Sequence, residues 1–194
     1  MTENQSFLHT LRRQLPLLTI LGLSSLLSVT LIVFRAFYSD YVAYTFLIWN
    51  LFLAWIPLGC AFLLWWLNRA SRRPALPMMA IFATWFLFFP NAPYIVTDLI
   101  HIAPRYRVPI WYDAVLLFSF SWNGLILGLL SLLLVQRLVD GWFGRGMGWL
   151  LAAVTVVASG FGVYLGRFER WNSWDVVAEP QLLALDILDR LANP

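Results

Sequence analysis

Five stretches of this chain contain no Asp, Glu, Lys or Arg, and each is long enough to cross a membrane as a helix. They are Gln14–Phe34, Tyr41–Asn68, Pro74–Thr97, Ala114–Gln136 and Gly146–Gly166. All 13 basic and 10 acidic side chains fall outside them. A helix needs about 20 apolar residues to span the hydrocarbon core, and a charge at its centre costs about 2.5–3.5 kcal/mol on insertion scales. The pattern therefore predicts five transmembrane helices.

The overall composition excludes several other classes of protein. The chain is 61% hydrophobic and 12% charged, whereas soluble domains carry about 25% charged residues. A soluble globular domain, a disordered tail and a nucleic-acid-binding module are therefore excluded. The apolar stretches lack the strict alternation of an outer-membrane barrel. We expect one all-α membrane domain, residues 1–194, with spans at about 15–35, 42–67, 76–97, 111–136 and 147–166.

The arginines favour a cytoplasmic N-terminus. With five spans, seven arginines fall on the N-terminal side of the membrane and six on the other. The short segment Asn68–Arg73 holds three of the seven, as cytoplasmic loops tend to do. Arg12 and Arg13 before the first stretch also resemble a signal peptide. That stretch is too long, however, and ends without a small-residue cleavage site, so we expect it to be an uncleaved first span.

The third stretch is interrupted by Pro90 and Pro93. Two prolines three residues apart break or distort a helix. Asn91 is a good N-cap residue, so a second, short amphipathic helix is expected from Asn91 to His101. On an α-helix Tyr94, Thr97, Asp98 and His101 would share one polar face. Irregular backbone at membrane depth must be covered by protein or line a water-filled cavity. We therefore expect this polar face to be directed at another part of the protein or at such a cavity.

Small residues mark two surfaces for close helix packing. The fourth span contains Gly124 and Gly128, and the fifth contains Gly162 and Gly166, each pair four residues apart. Such spacing lets the backbones of two membrane helices approach closely. We interpret both pairs as exposed packing stripes that a partner protein could contact.

The end of the chain is polar, and then amphipathic. The run from Arg167 to Asp175 is dense in charges and aromatic rings. After it, leucines at 182, 185, 188 and 191 predict an amphipathic helix over about 180–192, lying on the membrane or against a partner.

On this topology the polar residues converge on the extracytoplasmic side. The candidate cluster consists of Asn91, Tyr94, Asp98, His101, Asp113, Arg167, Arg170, Asn172 and Asp175. Asp98 and His101 could hold a metal with Asp113, Glu169 or Asp175 as third ligand. Only one His lies on that side and the single Cys60 is inside a span, so we expect no metal and no other cofactor.

Three other interpretations of the cluster stay open. Arg105, Arg107, Arg167 and Arg170 could hold a phosphate or lipid headgroup, with Asp98 or His101 as base. A helix broken by proline could belong to a transport path. Alternatively, Arg167 or Arg170 pairs with Asp98, Asp113 or Asp175, and the cluster only fastens the loops together.

Two long motifs give the chain a family resemblance. Leu87–Leu99, which contains Pro90-Asn91-Ala92-Pro93-Tyr94, and Gly166–Asp175 resemble the signatures of DUF1361, a bacterial membrane protein family of unknown function. Trp49–Leu58 and Tyr112-Asp113 are similar to further motifs of that family. The resemblance implies a bacterial inner-membrane protein and implies no activity.

From these observations we expect a small structural or assembly subunit of a membrane complex, and an enzyme is the less favoured interpretation. Its partner would be a membrane protein or a second copy of the chain. The alternative is a membrane-embedded enzyme or transporter that acts on an anionic lipid or a small solute at the polar cluster.

Overall fold

The computed structural model describes residues 3–69, 75–104 and 107–192, with side chains between residues 15 and 189 of those ranges. Every element in this part of the chain is helical. In order, the elements are α1 (Glu3–Ser39), α2 (Phe46–Leu67), α3 (Ala75–Phe88), α4 (Asn91–Tyr94), a 3₁₀ helix (Ile95–His101), α5 (Ile110–Phe143), α6 (Arg145–Tyr164), a π turn (Leu165–Glu169), α7 (Asp175–Ala178) and α8 (Pro180–Ala192).

Five segments of the described chain are long and apolar enough to cross a membrane. They are Leu15–Ser39, Phe46–Leu67, Ala75–His101, Ile110–Phe143 and Arg145–Glu169. Large apolar side chains remain exposed along them, as lipid-facing surfaces require. The all-α class and the five candidate spans are therefore confirmed.

Helix α5 is the centre of the bundle. It packs against α1, α2, α4, α6 and the 3₁₀ helix. One core forms where α1 and α2 meet α5, with Leu47, Leu116 and Phe120 fully buried. A second core lies where α3 and α6 meet α2 and α5, around Trp85 and Val135. The two cores fix the long helices relative to one another. The polar cluster lies at one end of the bundle that these helices form.

Two helices extend beyond their expected ends. Helix α1 continues past the expected end near residue 35 to Ser39. Helix α5 continues past Gln136 to Phe143, because the exposed Arg137 can extend its long side chain from the helix surface. Gly144 then adopts φ 94° and lets α6 begin at the next residue, a left-handed conformation that glycine accepts without steric cost.

The segment after the prolines is not the single α-helix that the sequence predicts. Helix α4 has four residues, and a seven-residue 3₁₀ helix follows it. A 3₁₀ helix has three residues per turn, so Asp98 aligns with Ile95 and His101, and the expected four-residue polar face is split. The N-cap position belongs to Pro90. Asn91 instead donates from Nδ2 to the carbonyl oxygen of Phe88 at 2.9 Å.

Candidate functional site

The polar residues meet at one end of the bundle. This end is formed by the C-terminal ends of α1 and α6, the N-terminal ends of α2 and α5, and the segment 90–101 between α3 and α5. Two buried carboxylates lie there, on Asp98 and Asp113. Each is paired with an arginine from a different helical segment, and the two pairs are described in turn.

The Asp98 side chain connects its own 3₁₀ helix to two other helical segments. Its Oδ1 accepts a hydrogen bond from Arg167 Nη2 at 2.6 Å, and its Oδ2 accepts one from Asn50 Nδ2 at 2.9 Å. The Asp98 side chain is 2% exposed and that of Arg167 is 19% exposed. The charge of Asp98 is therefore compensated inside the chain, and the pair ties α2 and the 3₁₀ helix to the π turn.

The guanidinium of Arg167 makes further contacts with the same segment. Its Nε donates to Thr97 Oγ1 at 3.0 Å, and its Cζ lies 4.8 Å from the centre of the Tyr94 ring. The planar, multi-donor guanidinium suits such combined pairing and stacking, which a lysine could not reproduce. Arg167 is therefore oriented by three residues of one short segment.

Asp113 is paired with Arg35, a residue that the sequence analysis did not select. Arg35 Nε donates to Asp113 Oδ1 at 2.6 Å and Nη2 donates to Oδ2 at 3.2 Å. Both side chains are at most 2% exposed. The Tyr44 hydroxyl donates to Asp113 Oδ2 at 3.1 Å, and the Arg35 guanidinium lies 5.0 Å from the Tyr44 ring. This pair joins α1 to α5.

The four glycines surround the turn between α3 and the 3₁₀ helix. A Cβ atom added at Gly124 would lie 2.6 Å from the carbonyl oxygen of Ala92, and one at Gly162 would lie 2.8 Å from the Pro90 ring. Gly128 faces Ala92 and Gly166 faces Tyr94 in the same way. The expectation that the two glycine stripes face a partner is therefore corrected: both contact residues 90–94 of this chain.

The polar run after α6 folds back over the same turn. Ser173 Oγ accepts a hydrogen bond from Asn91 Nδ2 at 2.9 Å and donates to the Leu87 carbonyl oxygen at 3.1 Å. Trp171 Nε1 donates to Asp186 Oδ2 on α8 at 2.8 Å. These bonds connect the tail helices to the bundle end.

A cavity of about 350 Å³ lies beneath this tail. Its wall includes Asn50 from α2, Asn91 and Tyr94 from the turn, and Leu183 and Ile187 from α8. Helix α6 contributes Thr155 and Ser159, whose hydroxyl oxygens are buried without a hydrogen-bond partner.

The structure places the predicted cluster residues in several separate groups. Tyr94, Asp98 and Arg167 form one connected group, Asn91 bonds to Phe88 and Ser173 instead, and Asp113 belongs to the pair with Arg35. His101 packs its ring against Phe46 with centroids 5.4 Å apart, and its carbonyl oxygen lies 3.3 Å from the Tyr44 hydroxyl oxygen. Within the described ranges, no three His, Cys, Asp or Glu residues are close enough to hold a metal ion.

The remaining predicted residues lie nearer the surface. Asp175 Oδ2 accepts hydrogen bonds from the Asn172 backbone N–H at 2.6 Å and from its Nδ2 at 3.2 Å, so these two residues form a local turn. Arg170 is exposed and adopts φ 62° where the π turn ends. Arg107 faces Asp40 at 3.5 Å on the surface, and Arg105 lies outside the described residues.

Several residues of the site were missed at the sequence level. Arg35 lies at the expected end of the first span, immediately after a charge-free stretch, and the sequence did not indicate that its side chain is buried. Asn50 lies inside a charge-free stretch, and the sequence gives no indication that Asp98 is its partner. Thr155 and Ser159 give no signal in the sequence, because serine and threonine are common in membrane helices.

The fold is that of a small helical protein with five candidate membrane spans. Two buried carboxylates, each paired with an arginine, connect the helices at its polar end. The family model described as a protein of unknown function (DUF1361) matches residues 49–194. The chain therefore belongs to the DUF1361 family. No curated protein and no solved structure matches it.

Proposed function

We propose that the protein is a small, non-catalytic subunit or assembly partner of a membrane complex. One observation carries this proposal: each buried carboxylate of the cluster is held in a 2.6 Å ion pair within the chain. A catalytic acid or base needs hydrogen-bond access to a substrate. Asp98 and Asp113 instead use their oxygens to connect helices, so we assign the cluster a structural role.

The outer face of α8 is the surface that we assign to a partner. Leu182, Leu185 and Leu188 are between 57% and 64% exposed, whereas Leu183 is 8% exposed and faces the bundle. The helix is thus apolar on both sides. Its outer stripe can lie in the membrane interface or pack against a second protein, and the subunit proposal assigns it to the protein.

We further propose a bacterial inner-membrane location with a cytoplasmic N-terminus. The lipid bilayer then surrounds the five candidate spans, and the polar end faces away from the cytoplasm. The arginine distribution supports this orientation, and residues 70–73 of the short Asn68–Arg73 region lie outside the described part of the chain.

The second candidate is a membrane-embedded enzyme or transporter for an anionic lipid or a small solute. The cavity under the tail is the observation that favours it, because clefts and cavities of roughly 300–1,000 Å³ are typical small-molecule sites. The anionic part of this candidate would rely on the exposed Arg170, since Arg35, Arg107 and Arg167 are each engaged with a carboxylate.

Native mass spectrometry of the tagged protein, gently solubilised from its own host, tests the subunit proposal. We expect a stoichiometric protein partner, and we expect it to be lost when Leu182, Leu185 and Leu188 are all changed to Ser. The control is Ile100→Ser, which alters an even more exposed apolar residue of the 3₁₀ helix (76% exposed). A protomer or homo-oligomer without another protein would contradict the proposal.

A further inference from the structure

The cavity under the tail has an unusual pair of groups in its wall. Thr155 and Ser159 lie one turn apart on α6, so their side chains project from the same face of the helix. They are 1% and 4% exposed, and neither hydroxyl oxygen has a hydrogen-bond partner. Buried polar groups are normally paired, so two unpaired neighbours require an explanation.

The usual explanation does not apply to these two hydroxyls. Ser and Thr in membrane helices commonly donate to the carbonyl oxygen four residues earlier. Thr19, Thr30 and Thr84 of this chain do so, at 2.8–3.0 Å. Thr155 and Ser159 make no such bond, so a χ1 rotation of either side chain can turn its hydroxyl toward a molecule in the cavity that both residues line.

The rest of the wall indicates what that molecule is. None of the described residues that line the cavity is charged. Asp98, which accepts a hydrogen bond from the lining residue Asn50, is itself compensated by Arg167 at 2.6 Å. Apolar surface comes from residues such as Leu53, Phe86 and Ile187. An ion would lose its hydration there without a counter-charge, whereas an uncharged molecule with one polar end would not.

We propose that this cavity binds a small neutral amphiphile, with its oxygen-bearing end on Thr155 and Ser159 and its apolar part along α3 and α8. The cavity volume of about 350 Å³ admits a molecule with a short chain and excludes a whole two-chain phospholipid. This binding site goes beyond the proposed subunit role and does not depend on it.

Photolabelling in lipid nanodiscs tests the site with a defined probe. The probe is a decan-1-ol analogue that carries a diazirine in its chain, and labelled residues are located by peptide mass spectrometry. We expect labels on the inner face of α8, around Leu183 and Ile187. Excess decan-1-ol should reduce this labelling, and decanoate, which has the same chain length and an ionised head, should not.

Matched variants separate the hydroxyls from general membrane partitioning. Thr155→Val together with Ser159→Ala removes both hydroxyls with little change in shape, and we expect about tenfold more decan-1-ol to be needed for half-competition. Thr84→Val makes the same change on an exposed part of α3 and should leave competition unchanged. Equal competition by decanoate, or unchanged competition in the double variant, would overturn the proposal. Folding of each variant is checked by its elution as a single species on size exclusion.

Discussion

Arg35 Nε donates to Asp113 Oδ1 at 2.6 Å, with both side chains at most 2% exposed. This contact fixes the C-terminal end of α1 against the N-terminal end of α5. Helix α1 makes its main packing contact with α5, so the ion pair is a principal restraint on the outermost helix.

We expect Asp113→Asn to destabilise the protein strongly. The change leaves Arg35 buried without its counter-charge, which typically costs about 3–5 kcal/mol. The measurement is the midpoint of thermal unfolding in nanodiscs together with the amount of protein that accumulates in the membrane. Arg35→Met combined with Asp113→Leu should recover most of the loss, because two apolar groups replace the pair. The control is the exposed ion pair of Arg107 and Asp40. Because exposed pairs contribute little, Arg107→Ala should change the free energy of unfolding by less than about 1 kcal/mol.

We expect Gly124→Ala to destabilise the contact between α5 and the 90–94 turn. The new Cβ atom would lie 2.6 Å from a backbone carbonyl oxygen, and a backbone atom cannot move aside as a side chain can. Overpacking of this kind costs about 1–3 kcal/mol. Gly160→Ala is the matched control, since a Cβ there meets nothing within 4 Å. Equal unfolding midpoints for the two variants would show that the 90–94 turn is not closely packed against α5.

Trp171→Phe should loosen α8 without unfolding the bundle. The substitution keeps an aromatic ring and removes the Nε1 donor that bonds Asp186 at 2.8 Å. Limited proteolysis in nanodiscs should then cleave near residues 176–182 several times faster than in the parent protein. Trp149→Phe provides the comparison, because Trp149 is 69% exposed on α6. A cleavage rate equal to that of the parent would mean that the apolar contacts of α8 hold it alone.

Single-cysteine labelling decides the proposed orientation. In a Cys60→Ser background, Asp40→Cys places a thiol at the polar end and Arg145→Cys places one at the opposite end, and both positions are exposed. A membrane-impermeant maleimide should label residue 40 in intact spheroplasts and residue 145 only after permeabilisation. The reverse pattern would place the N-terminus outside the cytoplasm.

The sequence predicted the five spans because exclusion of charge from the hydrocarbon core is a local property of each segment. The Pro90–Tyr94 turn could also be located, since proline removes a backbone donor wherever it occurs. The partner of Asp113 could not be identified in this way. Arg35 precedes it by 78 residues, and which arginine reaches it depends on how the helices pack. The 3₁₀ geometry of Ile95–His101 was likewise missed, because an α-helical period was assumed for its polar residues.

The separation of Arg35 from Asp113 has a consequence for biogenesis. Helix α1 is synthesised first, and its counter-charge arrives only when α5 has emerged. Until then the guanidinium must stay solvated, which its place near the end of α1 permits, because a long arginine side chain can extend to the interface. We therefore expect the first helix to insert as a separate unit and to be joined to the bundle only after more than half of the chain has been made.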